Sequence, residues 1–225
     1  TAQKPFVANG PIADWIAVFA EADGREAVCL VSPREEGVRP GPRLELAGLD
    51  GLAVSALAVD GARLPDERVL GPRGDAAASR RYRLEADLSA AIAAAGLMRS
   101  ALAEAVAHAR AHVRGGRPVF AQQEVAFPLA EVLARAEAAE LLCHRAAWLA
   151  RSGDPRAETV VRCAKVFCAE GAERAASACV QAMAGEGYRR GSAADRAWRD
   201  AKGLALAATT VEVARMDIAD ALLAR

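Results

Sequence analysis

Between Leu84 and Val113 apolar residues return every three or four positions: Leu84, Leu88, Ala91, Ala95, Met98, Leu102, Ala105, Ala109 and Val113. Such spacing draws one stripe down a long helix, and Gly115-Gly116 with Pro118 end it. A second stripe, Val125, Leu129, Val132, Ala136, Ala139, Leu142, Ala146 and Leu149, runs up to Ser152-Gly153-Asp154-Pro155. A third helix is expected from about Arg156 to Ala184, before Gly185-Glu186-Gly187, and a last one after Thr210, a plausible N-cap. Long helices joined by short connections predict an antiparallel four-helix bundle over residues 75–225. The packing must be close. Alanine makes up about a quarter of the 225 residues, and the chain is 53% hydrophobic but only 4% aromatic. Alanine is the best helix former and buries little area per residue.

Residues 1–74 have another character. They hold seven of the ten prolines, and short β-like runs alternate with turns. Trp15 to Phe19, Ala27 to Val31 and Leu52 to Val59 read as strands. Ala22-Asp23-Gly24 and Asp60-Gly61 read as turns, and the glycine and proline clusters at Gly37 to Pro42 and Gly71 to Gly74 as punctuation. The fold class that follows is α+β: a small antiparallel β-domain, 1–74, then the antiparallel four-helix bundle, 75–225.

Charge and cysteine usage exclude several functions. The formal net charge is zero, so the chain lacks the basic footprint of a nucleic-acid or anionic-membrane binder. Arg or Glu interrupts every apolar run before the roughly 18 residues that would span a bilayer. Thr1-Ala2-Gln3-Lys4-Pro5 has no signal-peptide pattern. The five cysteines (Cys29, Cys143, Cys163, Cys168, Cys179) lack CxxC spacing, and a reducing cytoplasm is the default compartment.

Single motifs name no reaction. His108 and His112 stand four apart on a helix, but without a third ligand they do not make a metal site. Gly185-Glu186-Gly187 reads as a helix C-terminal turn more readily than as a phosphate cradle. Cys163 and Cys168 do not share a helix face, and Glu170, Glu173 and Arg174 read as a solvated charged face. There is no GxSxG, P-loop, or GxGxxG after a strand.

The order of segments along the whole chain is more specific. Asn9-Gly10-Pro11-Ile12-Ala13-Asp14, Gly48-Leu49-Asp50-Gly51, Leu64-Pro65 and Leu70-Gly71 precede the bundle. Within the bundle follow Gly116-Arg117-Pro118 with Gln123, Ala146-Ala147-Trp148-Leu149, Ala164-Lys165-Val166-Phe167 and Gly185-Glu186-Gly187-Tyr188. Arg199-Asp200-Ala201-Lys202 and Thr210-Val211-Glu212-Val213-Ala214-Arg215 complete the set. This ordered set resembles the middle and C-terminal domains of the acyl-CoA dehydrogenase family over essentially the whole chain.

The resemblance implies a flavoprotein that desaturates acyl thioesters carried on CoA or a carrier protein. In the family a glutamate removes the α-proton, the flavin takes the β-hydride, and FAD lies between the β-domain and the bundle with help from a second subunit. Gln181, Gly185 and Thr210 stand at flavin-contacting positions. Other positions depart from the pattern. The usual base belongs to an EGTSE-like loop before the last helix, and Ala208 occupies that position here. The alternative base position on the first bundle helix is Ala86, flanked by Glu85 and Asp87. Ala8 replaces a threonine whose hydroxyl bonds the flavin ring, and His112 and Gly115 replace the pyrophosphate-facing arginine and its aromatic neighbour. No catalytic residue is therefore assigned.

Further expectations follow from the resemblance. The family's N-terminal helical domain is missing, supplied by a longer product or another polypeptide. Trp15, Ile16 and Phe19 should then be exposed where it docks. Ala172, Ala175 and Ala176 should present a face to another subunit of a homo- or hetero-oligomer. Two readings result: a subunit that lends its bundle to a competent partner's FAD, or a non-catalytic scaffold or acyl-binding protein.

Overall fold

The computed structural model describes residues 1–22, 25–70 and 77–223, in two compact units, 1–83 and 84–225. The expected boundary at 74, the turn at Asp23-Gly24 and the cluster at Gly71 to Gly74 lie outside the described residues.

The first unit contains two antiparallel three-stranded sheets. One has the order β1 (Ala2–Ala8), β5 (Val54–Val59), β4 (Val38–Arg43); the other has β2 (Ile16–Ala22), β3 (Arg25–Val31), β6 (Val69–Leu70). Alternation sends Ile16 and Val18 of β2 to the same side, where they meet Val31, Val38, Leu57 and Val59 in one core. β1 and β4 were not expected, and Gly37 to Pro42 is largely strand instead of punctuation. Pro40 and Pro42 fit because β4 is an edge strand, where a missing N–H breaks no inner ladder. Gly37 (φ 83°) turns the chain into β4, and a Cβ there would come within 2.2 Å of the Asp60 carbonyl oxygen.

The expected exposure of Trp15, Ile16 and Phe19 needs correction. Ile16 is buried in the core just described. Phe19, on the other face of β2, is half-buried, with the Tyr82 ring edge-on at 5.3 Å. Trp15 does remain exposed, with the Arg68 guanidinium over its ring at 4.8 Å. The period of two splits neighbours that a single exposed patch would have to keep together.

The helices are α1 (Ala77–Ala111), α2 (Gln123–Ser152), α3 (Ala157–Tyr188), α4 (Ala193–Leu206) and α5 (Val211–Leu223). α3 packs against α2, α4 and α5. Ala91, Ala95, Met98, Ala105 and Ala109 of the first stripe are buried, as are Leu129, Val132, Ala136, Ala139, Ala146 and Leu149 of the second. Val113 is exposed, because α1 has already ended. It opens a small hairpin, β7 (Val113–Arg114) with β8 (Arg117–Pro118), turned by Gly115 and Gly116 at φ 62° and 79°. Gly153 (φ 68°) is the left-handed C-cap of α2.

α4 is a helix beyond the four expected. Ser192 caps it, its side chain accepting the Asp195 N–H at 3.0 Å while Asp195 Oδ2 accepts the Gly191 N–H at 3.0 Å. Ala172, Ala175 and Ala176 also need correction. All three are at most 1% exposed, spent on this chain's own core instead of an outer face. The charged face reads differently as well. Glu173 pairs with Lys202 of α4 and Glu170 with Arg215 of α5, so these carboxylates link helices. By length and composition α1 contains a segment apolar enough to cross a membrane, in spite of its charges. Ala91, Ala94, Met98 and Ala101 lie buried within the described fold, so one face of the segment is covered by protein.

Candidate functional site

Four non-glycine residues of the described chain adopt a left-handed φ: Asn9, Leu49, Ala184 and Ala208, at 51–57°. Such backbone costs about 1–2 kcal/mol per L-residue and clusters where function demands it. All four lie in or beside the segments that carry the family resemblance. Asn9 follows Ala8 at the end of β1, and the adjoining turn is tight: a Cβ on Gly10 would meet Ser55 Oγ at 2.6 Å. Ala184 breaks the path of α3 (φ 51°, ψ −131°) where the sequence predicts its end, and one further turn runs to Tyr188. Ala208 sits between α4 and α5.

The Ala208 loop is held from two helices, α1 and α3. Lys165 of α3, fully buried, donates from Nζ to the Leu204 carbonyl and, at 2.9 Å, to the Ala207 carbonyl. Asp87 of α1, also fully buried, accepts the Thr209 N–H on Oδ1 at 2.8 Å. Arg162 of α3 donates to Thr209 Oγ1 at 2.8 Å, pairs with Asp87, and reaches Asp217 of α5 through Nε at 2.9 Å. Burial pushes the Lys165 ammonium down to about 8, since desolvation disfavours its charge. The loop is therefore a fixed piece of backbone, and the exposed residue at its crest is a bare methyl.

Thr210 caps α5, its hydroxyl accepting the Val213 N–H at 3.4 Å. Gln181 and Gly185 lie exposed near the far end of α3, on either side of the break at Ala184, and a Cβ on Gly185 would meet nothing within 4 Å. At 1.5 Å per residue, Gln181 stands about 24 Å along α3 from Lys165 and the loop it holds. One copy of the chain thus keeps Gln181 well apart from the loop that leads to Thr210. Glu212 is exposed on the first turn of α5. Asp87 accepts the Thr209 amide and pairs with Arg162, which removes it from the pool of open bases. His108 and His112 stack at 5.3 Å, and among the described residues no three His, Cys, Asp or Glu gather as a metal site requires.

Sequence reasoning missed the Asp87, Arg162 and Lys165 set. The signal available was three ionisable residues placed on apolar helix stripes, where charges are rare unless paired.

Residues 85–223 match the family described as acyl-CoA dehydrogenase, C-terminal domain. An acyl-CoA dehydrogenase of Bacillus subtilis is 33% identical over 226 residues, which cover 98% of this chain and 59% of that protein. The butyryl-CoA dehydrogenase structure from Megasphaera elsdenii superposes with a TM-score of 0.93 at 28% identity, covering 99% of this chain and 59% of that one. The ChsE4-ChsE5 complex from Mycobacterium tuberculosis gives 0.89 at 26% identity, again covering 99% and 59%. The chain spans about 60% of the length of the curated relatives it matches. Given the matched helical domain and the relatives aligned over nearly the whole chain, the chain belongs to the acyl-CoA dehydrogenase family.

Proposed function

We propose that this chain is a flavoprotein subunit for α,β-desaturation of an acyl thioester, lacking a base of its own and completed by a partner subunit. The observation that carries the reading is Ala208. Its loop keeps a costly backbone conformation and a buried anchorage to α1 and α3, yet bears no carboxylate.

An α-C–H is a weak acid, so its removal requires a carboxylate within hydrogen-bond reach while donors hold the thioester oxygen. The Ala208 methyl cannot accept that proton, and the Asp87 carboxylate is spent on Thr209 and Arg162. FAD, when bound, would accept the hydride equivalent from the β-carbon. The residues fit such a group in kind: the Gln181 amide and the open backbone at Gly185 offer neutral hydrogen-bonding partners, and Thr210 offers a hydroxyl. The distance along α3 between Gln181 and the loop that leads to Thr210 favours two subunits sharing one cofactor, in a homo- or hetero-oligomer. The structural neighbour described as the ChsE4-ChsE5 complex supports the same reading by analogy.

The second reading, a scaffold or acyl-binding protein, is favoured by Ala8, His112 and Gly115, which replace flavin-facing residues. Visible flavin absorbance of the purified chain, alone and with added FAD, separates the two. A panel of acyl-CoA thioesters with an electron acceptor should give no turnover with the chain alone. Ala208→Glu should restore measurable turnover if the flavin site is intact, because Ala208 already tolerates the left-handed φ. Robust turnover by the unchanged chain would sink the proposal; failure of every form to bind flavin would leave the scaffold.

A further inference from the structure

Two cysteines from neighbouring helices meet in the interior of the helical unit. Cys143 of α2 and Cys168 of α3 place their Sγ atoms 3.6 Å apart, with both residues buried. They differ in what else surrounds them. Cys168 is fully enclosed, its Sγ 3.9 Å from the Ala139 carbonyl one turn back along α2. Cys143 lies on a cleft of about 350 Å³ between α1 and α2, lined as well by Ala95, Gly96, Ala147, Arg99 and Glu140. Of the pair, Cys143 is thus the member that borders a cleft, and Cys168 is the member held beyond it at 3.6 Å.

We propose that Cys143 and Cys168 form a peroxide-responsive dithiol, oxidised to an interhelix disulfide by a small hydroperoxide entering the cleft. The Cys143 sulfur attacks the hydroperoxide's terminal oxygen: an S–O bond forms, the O–O bond breaks, and the alcohol or water leaves with a proton. The Cys168 sulfur then attacks the Cys143 sulfenic acid, forming S–S while the sulfenic hydroxyl departs as water with the Cys168 proton. Two thiols and one hydroperoxide thus give one disulfide, one alcohol or water, and one further water. The order of attack has a physical basis. The sulfur–sulfur hydrogen bond holds the Cys143 thiol below its ordinary pKa, against burial and nearby Glu140, while the same pairing and burial push Cys168 up. Closing 3.6 Å to a bonded distance of about 2.05 Å asks for a side-chain adjustment on each helix.

The test treats the intact chain with hydrogen peroxide, caps remaining thiols, and maps tryptic peptides without reductant. Residues 136–145 and 166–174 each carry a single cysteine, Cys143 and Cys168 respectively, so their cross-link is unambiguous. That link should form with loss of two hydrogens and be released by dithiothreitol. Cys168→Ala should stop at a dimedone-reactive sulfenic acid on Cys143. Cys143→Ala should leave Cys168 unoxidised, and Cys163→Ala should leave the link unchanged. A link between any other pair would overturn the proposal. So would peroxide that oxidises Cys163 while Cys143 and Cys168 both remain open to alkylation after denaturation. If the alanine variants fail to fold, the peptide map of the unmodified chain still decides.

Discussion

Two arginines of the helical unit each gather two acidic side chains from other helices, and they do so in opposite surroundings. Arg162 sits between Asp87 and Asp217 with its side chain 5% exposed; Arg99 sits between Glu137 and Glu140 with its side chain 46% exposed. The contacts look alike: Arg99 reaches Glu140 through Nε at 2.7 Å and Glu137 at 3.0 Å, and Arg162 reaches Asp217 at 2.9 Å. What differs is the alternative open to each group. A carboxylate released by Arg99 returns to water, whereas Asp87 released by Arg162 stays where water cannot follow. Interaction geometry is thus a poor guide to energetic worth, and burial decides it.

The sharpest break in that comparison is Asp87→Ala. It leaves the Arg162 guanidinium without its most buried partner and the Thr209 N–H without an acceptor. A loss of about 3–5 kcal/mol is expected, read from the urea midpoint. Lys165→Met should cost less, about 1–3 kcal/mol, by leaving the Leu204 and Ala207 carbonyls unmet. It also has a pH signature. The folded state releases the Lys165 proton near 8 and the unfolded chain near 10.5, so the unfolded state binds more protons between those values. Lys165 should therefore make stability rise as pH climbs from about 8 to 10.5, and Lys165→Met should flatten that rise in urea titrations. Arg99→Ala should move the midpoint least, and salt should erase what it does. A change comparable to that of Asp87→Ala would refute the dependence on burial.

The bundle was largely legible because its stripes mix bulky and small apolar residues at a clean helical period, as in Leu129, Val132, Ala136 and Ala139. α4 escaped because its buried face is mostly alanine (Ala194, Ala197, Ala201, Leu204), and alanine also populates outer faces here. β1 and β4 escaped because Pro5, Pro40 and Pro42 argue against strands, until sheet order puts both strands at edges. The position of Ala208 followed from resemblance alone. Its anchorage could not be read locally: Asp87 and Thr209 stand 122 residues apart, and nothing about a lone aspartate on a helix announces such a partner. Ala172, Ala175 and Ala176 were misplaced for the same reason as α4. A small side chain carries too little hydrophobic signal to tell inside from outside.

The alanine core has a consequence for how this protein tolerates genetic drift. At Ala91, Ala94, Ala105, Ala136, Ala139, Ala172 and Ala176 nothing of the residue is exposed. Truncation has little left to remove at such positions, so the familiar damage by cavity formation hardly applies. Single-base changes in an alanine codon lead to Val, Thr, Ser, Pro, Gly, Asp or Glu, and all but glycine add atoms. Overpacking typically costs about 1–3 kcal/mol, and a proline inside a helix about 3 or more. Random mutation therefore presses on this interior from the side of excess volume, and the lineage can relieve it only by moving whole helices apart.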